Sequence, residues 1–142
     1  SLSALALADL EADVADWPAV LALAQAAQTD LEAQGDLDLF RVDYGRALRL
    51  RAIAAWHLDT DPLAYEQLLA LTEEQLPNGV DLLFVCPNVE TLFDIDVALG
   101  RRQAGCRLLQ RIAAAARAMT PSAPLTDGIQ QRLRSGCSDD VL

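Results

Sequence analysis

The residues able to support covalent or metal chemistry are few and scattered. There is one histidine, His57, and there are three cysteines, Cys86, Cys106 and Cys137. That count excludes a helix carrying paired zinc histidines, and a serine triad would need His57 to meet a serine from near one of the termini. His57 and the three cysteines make four zinc ligands by number, yet none stands at ligand spacing from another. His57 falls at the end of a helical pattern, where an imidazole interacts with the helix dipole. The thiols are odd in number and form no Cys-x-x-Cys pair. They read as small core residues of a protein in a reducing compartment rather than as a disulfide framework.

Other chemistries fare no better. The alternating Asp59 and Asp61 suggest a calcium loop, but the central glycine and the final bidentate glutamate are missing, and Pro62 starts a helix instead. Asp59, Thr60 and Asp61 are therefore expected to cap helix ends. The seven glycines never assemble into a phosphate-cradling loop. All 11 basic residues are arginine, which excludes Schiff-base chemistry and a lysine-containing phosphate loop. The sequence thus leads to the expectation of a non-enzyme, with no catalytic residue, no cofactor and no metal.

The elements that position these residues are helical. Apolar residues make up 52% of the 142, mostly Ala and Leu, and aromatics only 5%; that balance favours helix over sheet. A chain of this length buries a core of its own without staples. Ser3 is a cap for a first helix to about Val14, whose inner face is Leu5, Ala8 and Ala12, widened by Leu7 and Leu10. Asp16 caps a second helix, with Pro18 in its first turn and Gly35 at its end. A third runs from about Leu39 to His57, and a fourth follows Asp61 and Pro62 and stops before Pro77. The run LLFVC fits either a short buried strand or a helix; lacking a partner strand, it reads as a helix bent or restarted at Pro87. A basic amphipathic helix follows Gly100, with Leu108, Leu109, Ile112, Ala116 and Met119 on one face. Thr126 caps a last short helix, and residues 136–142 form a tail.

Three corners, at residues 14–20, 57–64 and 98–105, each join one helix to the next through a short polar or Gly turn followed by a small residue. They lie about 44 and 41 residues apart, within the range of helical arrays. On these residues the chain resembles the tetratricopeptide repeat family. In the middle repeat Leu48, Ala52, Trp56, the Asp59–Asp61 turn, Ala64, Leu68 and Pro77 follow the family's order. Leu92, Leu99, Gly100, Gly105 and Leu109 do so in the last repeat, and Ala8, Asp16, Val20 and Ala24 in the first. The spacing exceeds the family's, and Arg51 stands where an apolar residue is expected. The resemblance implies an all-α, right-handed superhelix of about three antiparallel helix pairs, at about 3–35, 39–76 and 82–119, with a short helix at 126–135. It also implies a protein-protein interaction or regulatory role.

Charge adds detail. The formal net charge of −10 argues against nucleic acid or an anionic membrane as a partner. Acidic and basic blocks alternate: residues 1–40 carry eight acids and no base, and 41–57 four Arg against one Asp. Residues 58–96 carry nine acids and no base, and 97–134 seven Arg against one Asp. By the resemblance, Arg46, Arg49, Ile53 and Trp56 line a groove that holds an acidic or carboxylate-ended peptide through arginine forks. The competing reading pairs Arg46 and Arg49 with Glu90 and Asp94 across a helix contact. Trp17 and Trp56 fill helix corners, and Arg101, Arg102, Arg107, Arg111 and Arg117 form a solvated face. No signal segment or membrane span is apparent, so a cytoplasmic location is expected. The start at Ser1, already helical, suggests a piece of a longer protein, by analogy a bacterial signalling or transcription regulator. The alternative function is a sensor of a small molecule or peptide, using a cavity between helix pairs.

Overall fold

The computed structural model describes residues 2–35, 41–60, 62–75, 82–119 and 127–137. They form seven helices: α1 (Leu2–Asp13), α2 (Trp17–Ala33), α3 (Arg41–His57), α4 (Leu63–Gln75), α5 (Leu82–Ala98), α6 (Arg102–Met119) and α7 (Asp127–Gly136). No strand occurs among the described residues, so the fold is all-α and LLFVC belongs to a helix. α5 runs through Pro87 without restarting. The proline lies in the second turn, where its missing N–H leaves one carbonyl, that of Leu83, without a helical donor. No described helix is long and apolar enough to cross a membrane.

The corners show how the sequence ends one helix and begins another. Ala15, Asp59 and Gly100 all have positive φ, at 58°, 53° and 78°. Each donates its N–H three residues back, to Ala12, Trp56 and Val97. The following residue, Asp16, Thr60 or Arg101, donates five residues back, to Glu11, Ala55 and Asp96. The same left-handed closure therefore satisfies the last carbonyls of α1, α3 and α5. Asp16 then caps α2, its carboxylate accepting from Ala19 N–H at 3.3 Å. α1 begins at Leu2, one residue before the expected Ser3 cap, while Asp61 and Thr126 lie outside the described residues.

The chain divides into two compact units, Ser1–Leu68 and Leu69–Leu142. In the first, α1, α2 and α3 each touch the other two. The core is Leu5, Ala8, Val20, Ala24, Ala27, Ala47, Leu50 and Ala54, with Ala4, Ala12, Trp17, Leu21 and Leu23 against it. Leu7 and Leu10 do not widen the inner face of α1 but are exposed, because at 100° per residue they fall opposite Leu5 and Ala8.

In the second unit α5, α6 and α7 also pack mutually, around Val89, Leu92, Phe93, Leu109, Ile112 and Ile129. Gly105 of α6 is required by close approach: a Cβ there would lie 2.8 Å from the buried Phe93 ring. All three cysteines are buried, as expected of core residues, but the expectation that they form no disulfide is overturned. Cys106 and Cys137 are joined in a disulfide across 31 residues, with Cα atoms 5.7 Å apart, and the buried Cys86 is not part of it. Such a loop closure stabilises by about 3–4 kcal/mol in the chain-entropy account. Disulfides persist in oxidising surroundings, so the thiols no longer support a reducing location.

Two outcomes follow. Ala15→Gly relieves a left-handed alanine and raises the urea midpoint, whereas Gly100→Ala lowers it, each by about 0.5–1 kcal/mol of stability; unmoved midpoints would show that the closures carry no strain. Denatured without reductant, the chain takes up one alkylating group, on Cys86, and three after dithiothreitol. Three before reduction would show that the bond does not form.

Candidate functional site

The four residues singled out by sequence share one side of α3, at spacings of three and four residues. Arg46 is in ion-pair contact with Asp9 of α1, with side chains 33% and 47% exposed. Arg49 is half-buried and engaged, Ile53 is half-buried, and Trp56 is 38% exposed. The acids proposed as their partners are held elsewhere. Arg132 of α7 forks onto Asp94, Nε to Oδ1 at 2.9 Å and Nη2 to Oδ2 at 2.8 Å, and lies 3.7 Å from Glu90. The bonds to Asp94 hold the Arg132 guanidinium above its usual range.

His57 is exposed at the end of α3. Its ring stacks on Trp17 at 4.0 Å and 5°, and Trp56 lies tilted against it at 4.2 Å. The two antiparallel helices α2 and α3 are thus joined at one end by an aromatic stack rather than by an imidazole–dipole contact alone. Trp17 fills the corner as expected; Trp56 remains partly open. Among the described residues no group of three His, Cys, Asp or Glu side chains could hold a metal.

A second cluster was not assembled by sequence reasoning. Gln25, Gln28, Thr29 and Glu32 form a polar stripe along α2, at positions i, i+3, i+4 and i+7. Tyr44 and Arg51, two turns apart on α3, and Gln67 of α4 complete it. Gln28 is only 4% exposed, yet both ends of its amide are satisfied. Its Nε2 donates to Gln67 Oε1 at 3.2 Å and to Tyr44 Oη at 3.5 Å. Its Oε1 accepts from Arg51 Nη1 at 2.7 Å, and the same nitrogen reaches Gln67 Oε1 at 3.4 Å. Tyr44 donates to Glu32 Oε2 at 2.9 Å. Burial, and then the bond to Glu32, holds the Tyr44 hydroxyl above the ordinary phenol range. Gln25, Gln28, Thr29, Glu32, Arg51 and Gln67 line an open depression of about 410 Å³. Two signals in the sequence pointed here: the α2 stripe and Arg51 at an expected apolar position.

A further concavity of about 380 Å³ lies in the second unit, lined by residues including Phe93, Arg102, Arg132 and Gly136. Arg102 Nη1 there donates to Gly136 O at 2.8 Å, next to the disulfide. No protein-family model, curated protein or solved structure matches the chain.

The folded state keeps the Tyr44 proton to higher pH than the unfolded chain does. Its contribution to stability is therefore complete below the unfolded phenol range, near pH 10, and declines as pH rises above it. Tyr44→Phe removes that part of the decline. Urea midpoints that fall in parallel for both proteins above about pH 10 would mean the network does not hold the proton.

Proposed function

We propose that the chain is a non-catalytic interaction module, a right-handed superhelix of helix pairs resembling tetratricopeptide repeats. It binds an acidic protein segment or peptide on the α3 face of Arg46, Arg49, Ile53 and Trp56. The three corners at Ala15, Asp59 and Gly100, closed by the same bonds about 44 and 41 residues apart, support the repeat reading. The observation that carries the function is the α3 face itself, which keeps Val42 and Trp56 exposed near its two ends, with Arg46 between them. The Arg46–Asp9 pair is partly solvated, and such pairs contribute about 0–1 kcal/mol. A partner carboxylate can therefore replace Asp9 at small cost, while Trp56 supplies apolar area. The module would serve as a regulatory part of a longer bacterial protein.

A second reading, a sensor of a small molecule or peptide, is favoured by the polar depression around Arg51, which projects from the opposite side of α3.

The test is fluorescence anisotropy with labelled acidic and basic peptides of matched length. Acidic peptides bind, and Arg46→Glu and Trp56→Ala each weaken binding about tenfold or more, roughly 1.4 kcal/mol. Arg117→Glu, on the exposed side of α6, leaves it unchanged. Equal affinity of wild type, Arg46→Glu and Trp56→Ala removes the α3 face as the site, and no binding by any acidic peptide at millimolar concentration removes the reading.

A further inference from the structure

We propose that the depression lined by α2, α3 and α4 binds a zwitterion of the size of an α-amino acid, its carboxylate on Arg51 and its ammonium on Glu32. This inference rests on the sensor reading and names the ligand class for it.

The charge on Arg51 sets the chemistry of the depression. A guanidinium withdrawn from water is ordinarily paired with a carboxylate, because neutral acceptors compensate its desolvation incompletely. Arg51 is half-buried, and its bonds among the described residues run from Nη1 alone, to the amide oxygens of Gln28 and Gln67. No carboxylate makes an ion pair with it there, unlike Arg46, Arg101, Arg111 and Arg132, each of which has one. The two amides fix the plane of the fork through one nitrogen and leave Nε and Nη2 available. That is the arrangement for bidentate capture of a carboxylate, and its ordering cost is already met in the folded chain.

The rim supplies the opposite charge. Glu32 accepts the Tyr44 hydroxyl through Oε2, which orients the carboxylate and leaves Oε1 to receive a donor. Gln25 and Gln67 add amides, and Thr29 a hydroxyl whose proton is committed to Gln25 O at 3.0 Å, so that its oxygen can only accept. A ligand with one negative and one positive group is complementary to this lining. A phosphate or polyanion would meet Glu32, and a net charge of −10 on the chain opposes its approach. An apolar ligand finds no aliphatic or aromatic side chain among the lining residues. The volume of about 410 Å³ lies toward the small end of ligand sites, roughly 300–1,000 Å³. Gln28, almost fully buried behind the depression, would couple ligand capture to the packing of all three helices. Binding at Arg51 then tightens the contact that joins them.

The test uses the full chain, with each of the common α-amino acids, their decarboxylated amines and their N-acetylated acids as probes. At least one amino acid should raise the melting temperature and bind by calorimetry, with the amine and the N-acetyl acid weaker by tenfold or more. Glu32→Gln, at the exposed rim, should weaken the amino acid at least tenfold while keeping the wild-type helicity, and Arg51→Gln should abolish binding. Arg117→Glu, on the exposed side of α6, should leave it unchanged. An N-acetyl acid as tight as its amino acid, or Glu32→Gln at wild-type affinity, would overturn the zwitterion assignment. If only a compound of another class binds, and Arg51→Gln abolishes it, the sensor reading stands and the ligand class falls. If nothing in a general metabolite set binds, both fall.

Discussion

A single amide that cannot be left without partners constrains the first unit. Gln28 is buried almost as deeply as the core alanines beside it, and an unbonded amide at that depth costs on the order of 1–3 kcal/mol. It is accommodated because Tyr44 and Arg51 of α3 and Gln67 of α4 reach it from different directions. The apolar core beside it is rich in alanine, at positions 8, 24, 27, 47 and 54. Such a core lets helices approach closely but distinguishes poorly between one register and the next, since small side chains interlock weakly. The polar cluster restores that discrimination, because a shift of one helical turn would strand both the amide and the guanidinium.

The second unit solves the same problem by different means. Its last helix, α7, has only 10 residues, too short to be stable by itself. Among the contacts that hold it are Ile129 in the core, the Arg132 fork on Asp94, the bond from Arg102 to Gly136 O, and the covalent link from Cys137 to Cys106 just past its end. Phe93 lies against both Gly105 and Gly136, where a Cβ would come within 2.8 and 2.7 Å of the ring. The two glycines thus let α6 and α7 close over the same aromatic side chain.

What could be read in the sequence was local. Asp16 as a cap, Gly35 and Gly100 at helix ends, and the burial of Leu109, Ile112 and Ala116 each depend on residues within a turn or two, where periodicity and capping chemistry decide. The common closure of the three corners was visible as a recurring spacing, although alanine and aspartate at left-handed positions gave no glycine to mark them. What escaped was long-range. Nothing local distinguishes Cys137 as the partner of Cys106 from Cys86, and nothing local assigns Asp94 to Arg132 rather than to Arg46. Leu7 and Leu10 were misplaced for another reason: a helix rich in Leu and Ala presents apolar residues on most of its circumference, so composition outvotes phase. Arg51 was legible only as an anomaly, because its partners come from two other helices.

The alternating charge blocks find a physical account in these pairs. Asp9 with Arg46 links the first acidic block to the first basic one, and Glu73 with Arg111, Asp96 with Arg101, and Asp94 with Arg132 link the second two. Every one of these pairs lies within a single unit, so each offsets part of that unit's charge locally and the excess of acid stays on the chain as its net −10. Arg107 and Arg117, exposed on α6, need no such neighbour, since water and salt screen them. Arg51 belongs to neither group. It is half-buried like Arg46 and Arg132, yet its bonded acceptors are neutral amides, and in a less polar surrounding a charge left so is felt more strongly than at the surface. Arg51 is therefore the half-buried charge of the first unit whose printed bonds, among the described residues, all run to neutral acceptors, and it is held in place by the buried amide of Gln28.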